Sequence, residues 1–253
     1  MRNSTAPNDI IPTKLLKECA DILAPPIMQL INQSFKESIV PTQLKQGIIK
    51  PILKKPTLDP KDPEHRRPIT GLNVFSKVME KVVVQQMQQH LDTHNLLNPF
   101  QLGFRPGHGT ETALLKIWDD ALEAADEGES CLLVLLDLSA VFDTVDHKLL
   151  LTRLVEVAKV TECDLSWFSS FLENRSQVVK LGPFISEKRT VSCGVPQGSP
   201  LLPVLFNIYL RPLFLKSSAT RSYFTILMQM THNCIFRSAT IRIIISDKRN
   251  ALL

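Results

Sequence analysis

The sequence predicts a mixed α+β fold. Apolar residues recur at helical spacing over several long segments, and short apolar runs of strand length lie between them, residues 131–136 being the clearest. The chain has 253 residues, of which 44% are hydrophobic and 21% charged. This is the composition of an ordinary globular protein. It excludes a disordered chain, and the 9 Gly residues exclude a collagen repeat.

Helices are predicted wherever apolar side chains recur every three or four residues. The first such segment, residues 9–40, contains Pro25-Pro26, and we expect these prolines to break the helix there. The remaining helical predictions are residues 73–97, 110–127, 147–172 and 201–211. Beyond Pro212 the sequence shows no consistent amphipathic pattern.

Strands are predicted from short apolar runs bounded by turn residues. Ile48-Ile49 and Ile52-Leu53 lie in a stretch, residues 41–72, that is rich in proline. Because proline interrupts helices and central strands, we expect short strands and turns there. Residues 177–181 and 189–192 resemble a hairpin, and the continuous run 131–136 is typical of a strand buried on both faces.

Cysteine usage and the N-terminus favour an intracellular protein. The five cysteines are scattered and form no C-x-x-C pair, which argues against a disulfide framework or a zinc site. The first residues lack the apolar core of a secretory signal, and no apolar run is long enough to span a membrane. The sequence does not distinguish nucleus from cytoplasm, and it does not fix the oligomeric state.

A first candidate site is Asp137, which ends the apolar run 131–136. A carboxylate at the end of a buried strand lies at a rim that a metal can reach, and oxygen ligands of this kind suit Mg²⁺ held together with substrate phosphates. The alternative is structural, since Asp commonly caps the turn after a strand. Asp137 alone does not separate the two interpretations.

A second candidate is the segment Gly194-Val195-Pro196-Gln197-Gly198-Ser199, a turn that opens into a helix. Glycine lets the backbone approach a ligand closely, and Gln197 offers an amide to a sugar or base. The alternative is that Ser199 caps the following helix, with Pro200 in its first turn.

A basic cluster between residues 45 and 67 is the third candidate. This stretch contains seven cationic and three acidic residues, an excess that predicts a basic surface able to bind phosphate. The alternative is that the cations only form a solvated face. The cations are Lys45, Lys50, Lys54, Lys55, Lys61, Arg66 and Arg67.

In this order along the chain, six motifs resemble the successive blocks of the reverse transcriptase domain of non-LTR (LINE-type) retrotransposons. The resemblance covers about residues 9–212. One block alone would be weak, whereas six at family-like spacing are specific. The blocks are Lys54-Lys55-Pro56, Arg67-Pro68-Ile69, Gln101-Leu102-Gly103-Phe104-Arg105, Thr110-Glu111-Thr112-Ala113, Leu136-Asp137-Leu138-Ser139-Ala140-Val141-Phe142-Asp143 and Gly194-Val195-Pro196-Gln197-Gly198-Ser199.

The resemblance implies the fingers and partial palm of a right-hand polymerase, and we expect the thumb to be absent. On this interpretation residues 1–40 are an N-terminal helical extension, 41–130 the fingers and 131–212 an incomplete palm. The implied activity is RNA-directed DNA polymerisation with two Mg²⁺ ions. The implied partners are an RNA template, a DNA primer and deoxynucleoside triphosphates. We expect no membrane partner.

The resemblance also implies a role for particular residues. Asp137 would be the catalytic metal ligand. Phe142 would be a steric gate against the ribose 2′-hydroxyl, although a core role for this aromatic fits equally well. Nucleotide-binding positions are Phe142, Gln197, Gly198 and Arg67, and nucleic-acid-binding positions are Lys54, Lys55, Gln101 and Arg105.

The chain departs from the family after residue 199. The family places a Tyr-Ala-Asp-Asp hairpin there, whose carboxylates complete the metal site. This chain has no Asp-Asp pair after residue 199, and Asp247 is the only acidic residue beyond Pro212. Two Mg²⁺ ions would then lack most of their protein ligands. We therefore expect the chain as written to be inactive, which leaves its status as an enzyme uncertain.

A change of reading frame would supply the missing hairpin. When residues 227–236 are back-translated and read from the third nucleotide of the Leu227 codon, the result permits Tyr-Ala-Asp-Asp-Thr-Gln-Leu-Tyr-Phe throughout. The Ala and the second Asp are forced. We predict a frameshift at about residues 212–214, from a decayed element or an error in the gene model, so that residues 213–253 are an aberrant tail.

The charge distribution agrees with this division. The chain carries +4 overall, whereas residues 213–253 carry +5, from six Lys and Arg against Asp247; the rest therefore sums to 4 − 5 = −1.

Two other hypotheses stay open. One is a non-catalytic nucleic-acid-binding remnant. The other is an unfolded by-product of a dead element, because the palm sheet would lack its central hairpin and expose an apolar edge.

Overall fold

The computed structural model describes residues 6, 9, 11–99, 101–128, 130–138, 142–215, 222–231 and 235–247. Its helices are α1 Thr13–Glu18, α2 Ala20–Glu37, α3 Val74–Thr93, α4 Thr110–Asp126, α5 His147–Glu156, α6 Glu162–Leu172 and α7 Leu202–Leu215. Its strands are β1 Gln46–Leu53, β2 Arg66–Gly71, β3 Ser130–Leu138, β4 Arg175–Leu181, β5 Phe184–Ile185, β6 Arg189–Val191, β7 Ser222–Thr231 and β8 Ile235–Asp247. Short 3₁₀ turns lie at Thr42–Leu44 and Pro63–His65.

These elements confirm the predicted α+β class, and they group into two compact units. The first unit comprises Met1–Gln88 and Phe142–Leu202, and the second comprises Gln89–Val141 and Pro203–Leu253. This division follows packing within the chain. The predicted boundaries of fingers and palm concern regions of the family and stay a prediction.

A five-stranded sheet forms the frame of the first unit. Its order is β2-β1-β4-β5, and β6 also pairs with β4. β1 and β2 are antiparallel, whereas β1 and β4 are parallel, so that Gln46 lies opposite Ser176. The parallel pairing brings together two segments that are about 130 residues apart in the sequence. Residues at the start of β1 and β4 therefore become neighbours.

Two prolines lie within the β1–β2 hairpin, where we expected proline to interrupt the strands. Pro51 lies directly opposite Pro68 in the register. Two positions along, the backbone N–H of Thr70 points away from β1 and donates to Gln197 at 2.9 Å. Because this alternation repeats every second residue, neither proline occupies a position that must donate across the hairpin. The strands therefore continue through both prolines.

The helices of the first unit pack around Trp167 of α6. Its indole Nε1 donates to Ser34 Oγ of α2 at 3.0 Å, and its ring lies edge-on to Phe35, with 5.7 Å between ring centroids. Phe171, one turn later on α6, stacks on the same indole at 5.7 Å. These contacts join the N-terminal helix pair to the rest of the first unit.

Helix α2 corrects the prediction of a break at Pro25-Pro26. It runs from Ala20 to Glu37 with both prolines inside. The prolines leave the carbonyls of Asp21 and Ile22 without helical donors. Both of these residues are exposed, so water can solvate the freed carbonyls. The predicted helix is therefore interrupted at Cys19 instead, where α1 ends.

The second unit contains a three-stranded antiparallel sheet of order β3-β8-β7, against which α4 packs. β8 pairs with β3 from Ser130 through Leu138. Among the described strands β3 is therefore paired on one side, and it forms one edge of this sheet. The run 131–136 predicted as a strand is confirmed.

The segment after Pro212 also corrects the sequence prediction. α7 continues through Pro212 to Leu215 with one backbone hydrogen bond fewer, since proline has no N–H to donate. Residues 222–231 and 235–247 form a hairpin with an irregularity between Met228 and Met230. This irregularity and the short mixed runs hid the strand alternation. Among the described helices, none is both long and apolar enough to span a membrane.

Candidate functional site

The loop after β6 is joined tightly to the segment that begins at Phe142. The N–H of Gly194 donates to the Val145 carbonyl at 2.8 Å, and that of Val195 donates to the Phe142 carbonyl at 2.9 Å. Gly194 has φ +79°, and a Cβ at this position would lie 2.8 Å from the backbone oxygens of Phe142 and Asp143. Only glycine fits this approach without displacing backbone. The loop and the 142–145 segment therefore form one rigid element.

The same loop is fastened to the edge of β2. Thr70 donates its N–H to the Gln197 carbonyl at 2.9 Å, and Gly198, with φ +128°, packs against the Thr70 carbonyl. A Cβ on Gly198 would lie 2.6 Å from that oxygen. The glycine predicted to let the backbone approach a ligand here serves first to let the loop approach β2.

A buried carboxylate anchors the end of the loop. Glu80 of α3 is 1% exposed and accepts hydrogen bonds from the hydroxyls of Ser199 and, at 2.9 Å, Ser76. Burial raises the pKa of Glu80, and the hydrogen bond from Ser199 partly offsets this. Ser199 Oγ also accepts from the Leu201 N–H at 3.2 Å, in the turn that precedes α7; the helix begins at Leu202, later than the predicted cap at Ser199 requires.

A cavity of about 380 Å³ lies in the first unit between the sheet and this loop. Gln197, the N-terminal halves of β1 and β4, and residues 190–196 line it, together with Asp143. Burial raises the pKa of the Asp143 carboxyl. Two buried cations, Lys45 and Arg175, complete the wall.

The predicted nucleotide-binding residues are distributed around this cavity unevenly. Gln197 lines it, and its Oε1 is buried without a hydrogen-bond partner. Phe142 is 6% exposed and reaches the loop through its carbonyl. Arg67 is half-buried on β2, where strand alternation directs it to the face opposite Pro68 and Thr70, which line the cavity. The structure thus brings Gln197, Gly198 and Phe142 together. Arg67 lies on the face of β2 that points away from the cavity.

Lys54 and Lys55 are exposed just after β1. The backbone N–H of Lys54 bonds to the His65 carbonyl at 2.8 Å, which holds the turn between β1 and β2 closed. The guanidinium of Arg66 donates hydrogen bonds to the carbonyls of Pro51 and Pro60. The basic cluster is therefore a surface feature that includes Lys54 and Lys55 along with Lys50 and Lys61, whereas Lys45 is buried.

Gln101 and Arg105 lie in the second unit, in the turn before α4. Gln101 is 4% exposed, and its Oε1 has no hydrogen-bond partner. Arg105 is half-buried and directs Nη1 to the Asn98 carbonyl at 3.5 Å. The nearby Gly103 carbonyl accepts from Asn207 of α7 at 3.1 Å. This motif therefore has a packing role in the second unit.

Comparison with known proteins decides the family. The family model described as reverse transcriptase (RNA-dependent DNA polymerase) matches residues 52–230. The chain belongs to the reverse transcriptase family. The match continues past residue 212, where the resemblance seen in the sequence ends.

The similar proteins come from non-LTR retrotransposons. The chain is 31% identical over 208 residues to the probable RNA-directed DNA polymerase from transposon X-element of Drosophila melanogaster, covering 82% of this chain and 23% of the relative. It is 32% identical over 151 residues to the RNA-directed DNA polymerase from mobile element jockey of the same species, covering 59% and 16%. The chain thus spans less than a quarter of these relatives. It is a LINE-type reverse transcriptase domain.

Solved structures show the fold. A telomerase from Candida tropicalis, in complex with a TWJ fragment of telomeric RNA, matches with a TM-score of 0.56 and 12% identity, covering 83% of this chain and 37% of that one. A second Candida tropicalis structure, apo telomerase truncated from its C-terminal domain, gives a TM-score of 0.52. At this identity the likeness carries the fold alone, which is that of a right-hand polymerase.

Reverse transcriptases use divalent metal, and among the described residues the carboxylates do not group into a site for a pair of such ions. Asp137 lies near the end of β3, opposite Thr240 of β8. Asp247, the only acidic residue after Pro212, lies opposite Ser130 at the other end of β3, seven positions or about 23 Å away. Within the described residues no group of three or more His, Cys, Asp or Glu could hold a metal ion. The β8 strand therefore brings no carboxylate to Asp137.

Sequence reasoning missed Glu80 and Arg175 and misjudged Lys45. Arg175 is 2% exposed, and its guanidinium lies over the Phe171 ring, 4.9 Å from the centroid. Nothing in the local sequence marks these charges as buried. Only the parallel pairing of β1 with β4 could have revealed that Lys45 and Arg175 are neighbours.

Proposed function

We propose that this chain is the RNA-directed DNA polymerase domain of a non-LTR retrotransposon. In its present reading frame, we infer, the encoded protein does not polymerise. One observation carries the proposal. Ala239 of β8 pairs with Leu138 on one side and Met228 on the other. Residues 227–231, whose shifted reading permits Tyr-Ala-Asp-Asp, thus lie at the same end of the sheet as Asp137. The restored carboxylates would arise at this end of the sheet, on a strand that β8 separates from the predicted metal ligand.

The nucleotide-binding part of the proposal rests on the first unit. Gln197 at the cavity wall would contact the sugar or base, with Gly198 beside it, and Phe142 would exclude a ribose 2′-hydroxyl. Arg67, the predicted phosphate-neutralising residue, would act on the face of β2 opposite the cavity and so outside this pocket. The hydrogen bonds that hold residues 194–199 to Phe142, Thr70 and Glu80 support this arrangement, because they fix the loop before any ligand is bound.

Nucleic-acid binding without catalysis is a second candidate. The exposure of Lys54 and Lys55 at the β1–β2 turn favours it, because these charges are free to reach a phosphate backbone. Gln101 and Arg105 would contribute through the turn that they stabilise. Binding of this kind would persist in the chain as written, whether or not polymerisation is lost.

The coding DNA tests the frame directly. A single-nucleotide insertion or deletion at about codons 212–214 should restore an open reading frame containing Tyr-Ala-Asp-Asp. If no such change there restores the Asp-Asp pair, the proposed origin of the inactivity is wrong. Primer extension on an RNA template then distinguishes polymerase from binding protein, because the second candidate predicts binding of the template without extension by either reading frame.

A further inference from the structure

Helix α4 carries a second apolar face, which stays exposed in the part of the chain that the structure describes. The packed face consists of Ala113, Ile117, Asp120 and Ala124. The second face consists of large side chains that are about half to two-thirds exposed: Leu114 at 48%, Leu115 at 68%, Trp118 at 67% and Leu122 at 49%. Leu114 and Leu115 precede Trp118 by one helical turn, and Leu122 follows it by one turn. These four side chains therefore form one surface, the α4 stripe.

Trp118 gives this surface the character of a binding site. Single exposed leucines are common on proteins, whereas a contiguous patch of several large apolar side chains marks an interaction surface. Trp118 lies at the centre of the stripe, and a central tryptophan often contributes most to the free energy of binding. The second tryptophan of the chain, Trp167, is 4% exposed and packs inside the first unit.

Carboxylates border the α4 stripe on the side away from the packed face. Asp119 follows Leu115 by one turn, Asp126 follows Leu122 by one turn, and Glu123 lies one turn from both carboxylates. All three are exposed. Residues 110–127 contain six acidic residues and a single cation, a net charge of −5. That cation, Lys116, is salt-bridged to the buried Asp120, so the exposed carboxylates remain in excess.

This charge decides among the candidate partners. The carboxylates would repel a nucleic acid or an anionic membrane, and α4 of a second copy would bring five more negative charges against them. A helix with Lys or Arg along one edge of an apolar face would instead cover the stripe and neutralise its border together. The stripe from Leu114 to Leu122 is about 12 Å long, which matches two to three turns of such a helix.

We propose that the α4 stripe and its carboxylate border form a docking site for a basic amphipathic helix of a partner protein. Trp118 would pack between the apolar side chains of that helix. Asp119, Glu123 and Asp126 would pair with its Lys or Arg side chains. The site lies within the second unit, and it does not depend on the proposed polymerase activity or on the cavity of the first unit.

A designed peptide and the fluorescence of Trp118 test the proposal on the full chain. The peptide is a helix of about 18 residues, or five turns, with leucines on one face, lysines on the other and no tryptophan. Its binding should shift the emission of Trp118 to shorter wavelength, because the exposed indole becomes covered. Trp118→Phe should abolish the shift, since the buried Trp167 is then the only tryptophan. A peptide with glutamates in place of the lysines should bind at least about tenfold more weakly.

Two variants separate docking from general adhesion of an apolar peptide. Leu115→Glu should weaken binding of the lysine peptide at least about tenfold. Ile185→Glu is its matched control, because Ile185 is an apolar side chain of the first unit with a similar exposure of 62%, and it should leave binding unchanged. The double change Asp119→Lys and Glu123→Lys should make the glutamate peptide the tighter ligand. Circular dichroism shows whether each variant is folded, and if Leu115→Glu is not, the charge reversal decides.

Three results would overturn the proposal. The first is equal affinity for the lysine and glutamate peptides, or affinity unchanged by both Leu115→Glu and the charge reversal. The second is a dimer of the peptide-free chain in sedimentation equilibrium that Leu115→Glu dissociates, which would assign the face to a second copy. The third is a shift of Trp118 emission on phosphatidylcholine vesicles without peptide, which would assign it to a lipid surface. Primer extension, whatever its result, leaves these outcomes unchanged.

Discussion

The hydroxyl of Ser199 donates a hydrogen bond to the carboxylate of Glu80, which α3 buries beneath the loop. The two residues are 119 positions apart, and the bond fixes the end of the segment that carries Gln197 and Gly198. A buried carboxylate that loses a donor is left partly unsatisfied. The Glu80–Ser199 pair therefore joins the stability of the first unit to the shape of its candidate site.

Ser199→Ala should lower the free energy of unfolding by about 1–3 kcal/mol, since it removes a donor to a buried carboxylate. Urea unfolding followed by circular dichroism measures the change. Ser166→Ala is the matched control, because the Ser166 hydroxyl is exposed and bonds only to the Glu162 carbonyl. That substitution should cost less than about 0.5 kcal/mol. Equal costs for the two substitutions would argue against an anchoring role for Glu80.

The raised pKa of Glu80 predicts a pH dependence of stability. In the unfolded chain Glu80 ionises near its ordinary pKa of about 4.3, whereas in the folded chain it ionises at higher pH. Its contribution to stability is therefore full below that ordinary pKa and is lost as the pH rises through the folded pKa. Relative to Glu80→Gln, the wild type should become less stable on going from about pH 4 to about pH 8. A difference that stays constant or grows with pH would contradict the burial of an ionisable carboxyl here.

Gly194→Ala should destabilise the first unit by about 3 kcal/mol or more. The substitution combines a left-handed backbone conformation, which costs about 1–2 kcal/mol, with a clash of the new Cβ against the Phe142 and Asp143 carbonyls. Gly182→Ala isolates the first cost, because Gly182 has φ +60° and nothing within 4 Å of its Cβ position. Thermal unfolding of both variants gives the difference. If Gly182→Ala costs as much as Gly194→Ala, the close approach of the two backbones is not rigid.

Ser34→Ala tests the packing of α2 on α6. The substitution leaves the buried indole N–H of Trp167 without its acceptor and should cost about 1–3 kcal/mol in urea unfolding. Thr152→Ala offers a comparison on an exposed helix face, where the hydroxyl bonds only within α5. It should change stability by less than about 0.5 kcal/mol. A cost near zero for Ser34→Ala would place α2 outside the cooperative first unit.

The steric role proposed for Phe142 predicts a change of sugar selectivity. In the frame-restored chain, Phe142→Ala should raise the efficiency of ribonucleotide relative to deoxyribonucleotide incorporation by at least about tenfold. Phe168→Ala is the control, since Phe168 is a buried aromatic of α6 with no predicted contact to substrate. It should lower stability without changing the ratio. The same ratio in both variants would assign Phe142 to the core alone.

Features set by neighbouring residues in the sequence could be predicted, whereas features set by contacts between distant segments could not. The helices α3 and α4 and the strand β3 follow from apolar spacing within the segment, and their predictions are confirmed. The errors at Pro25, Pro51 and Pro212 share a cause: a proline matters only where the missing N–H was needed, and strand register and solvent exposure decide that. Neither is visible in a local sequence pattern.

The candidate site divides in the same way. Gln197 and the two glycines were marked by their motif, and the structure places Gln197 at the cavity wall. Lys45, Glu80 and Arg175 became neighbours only through the β1–β4 pairing and the packing of α3. Each belongs to a different segment of the sequence. A buried charge leaves no trace in the sequence beyond its own residue type.

The central claim is that the chain as written lacks the carboxylates for catalysis and that a shift of frame at about residues 212–214 supplies them. Primer extension on an RNA template with Mg²⁺, comparing the written chain, the frame-restored chain and its Asp137→Asn variant, measures this most directly. The account predicts extension by the frame-restored chain alone. Extension by the chain as written, abolished by Asp137→Asn, would contradict it.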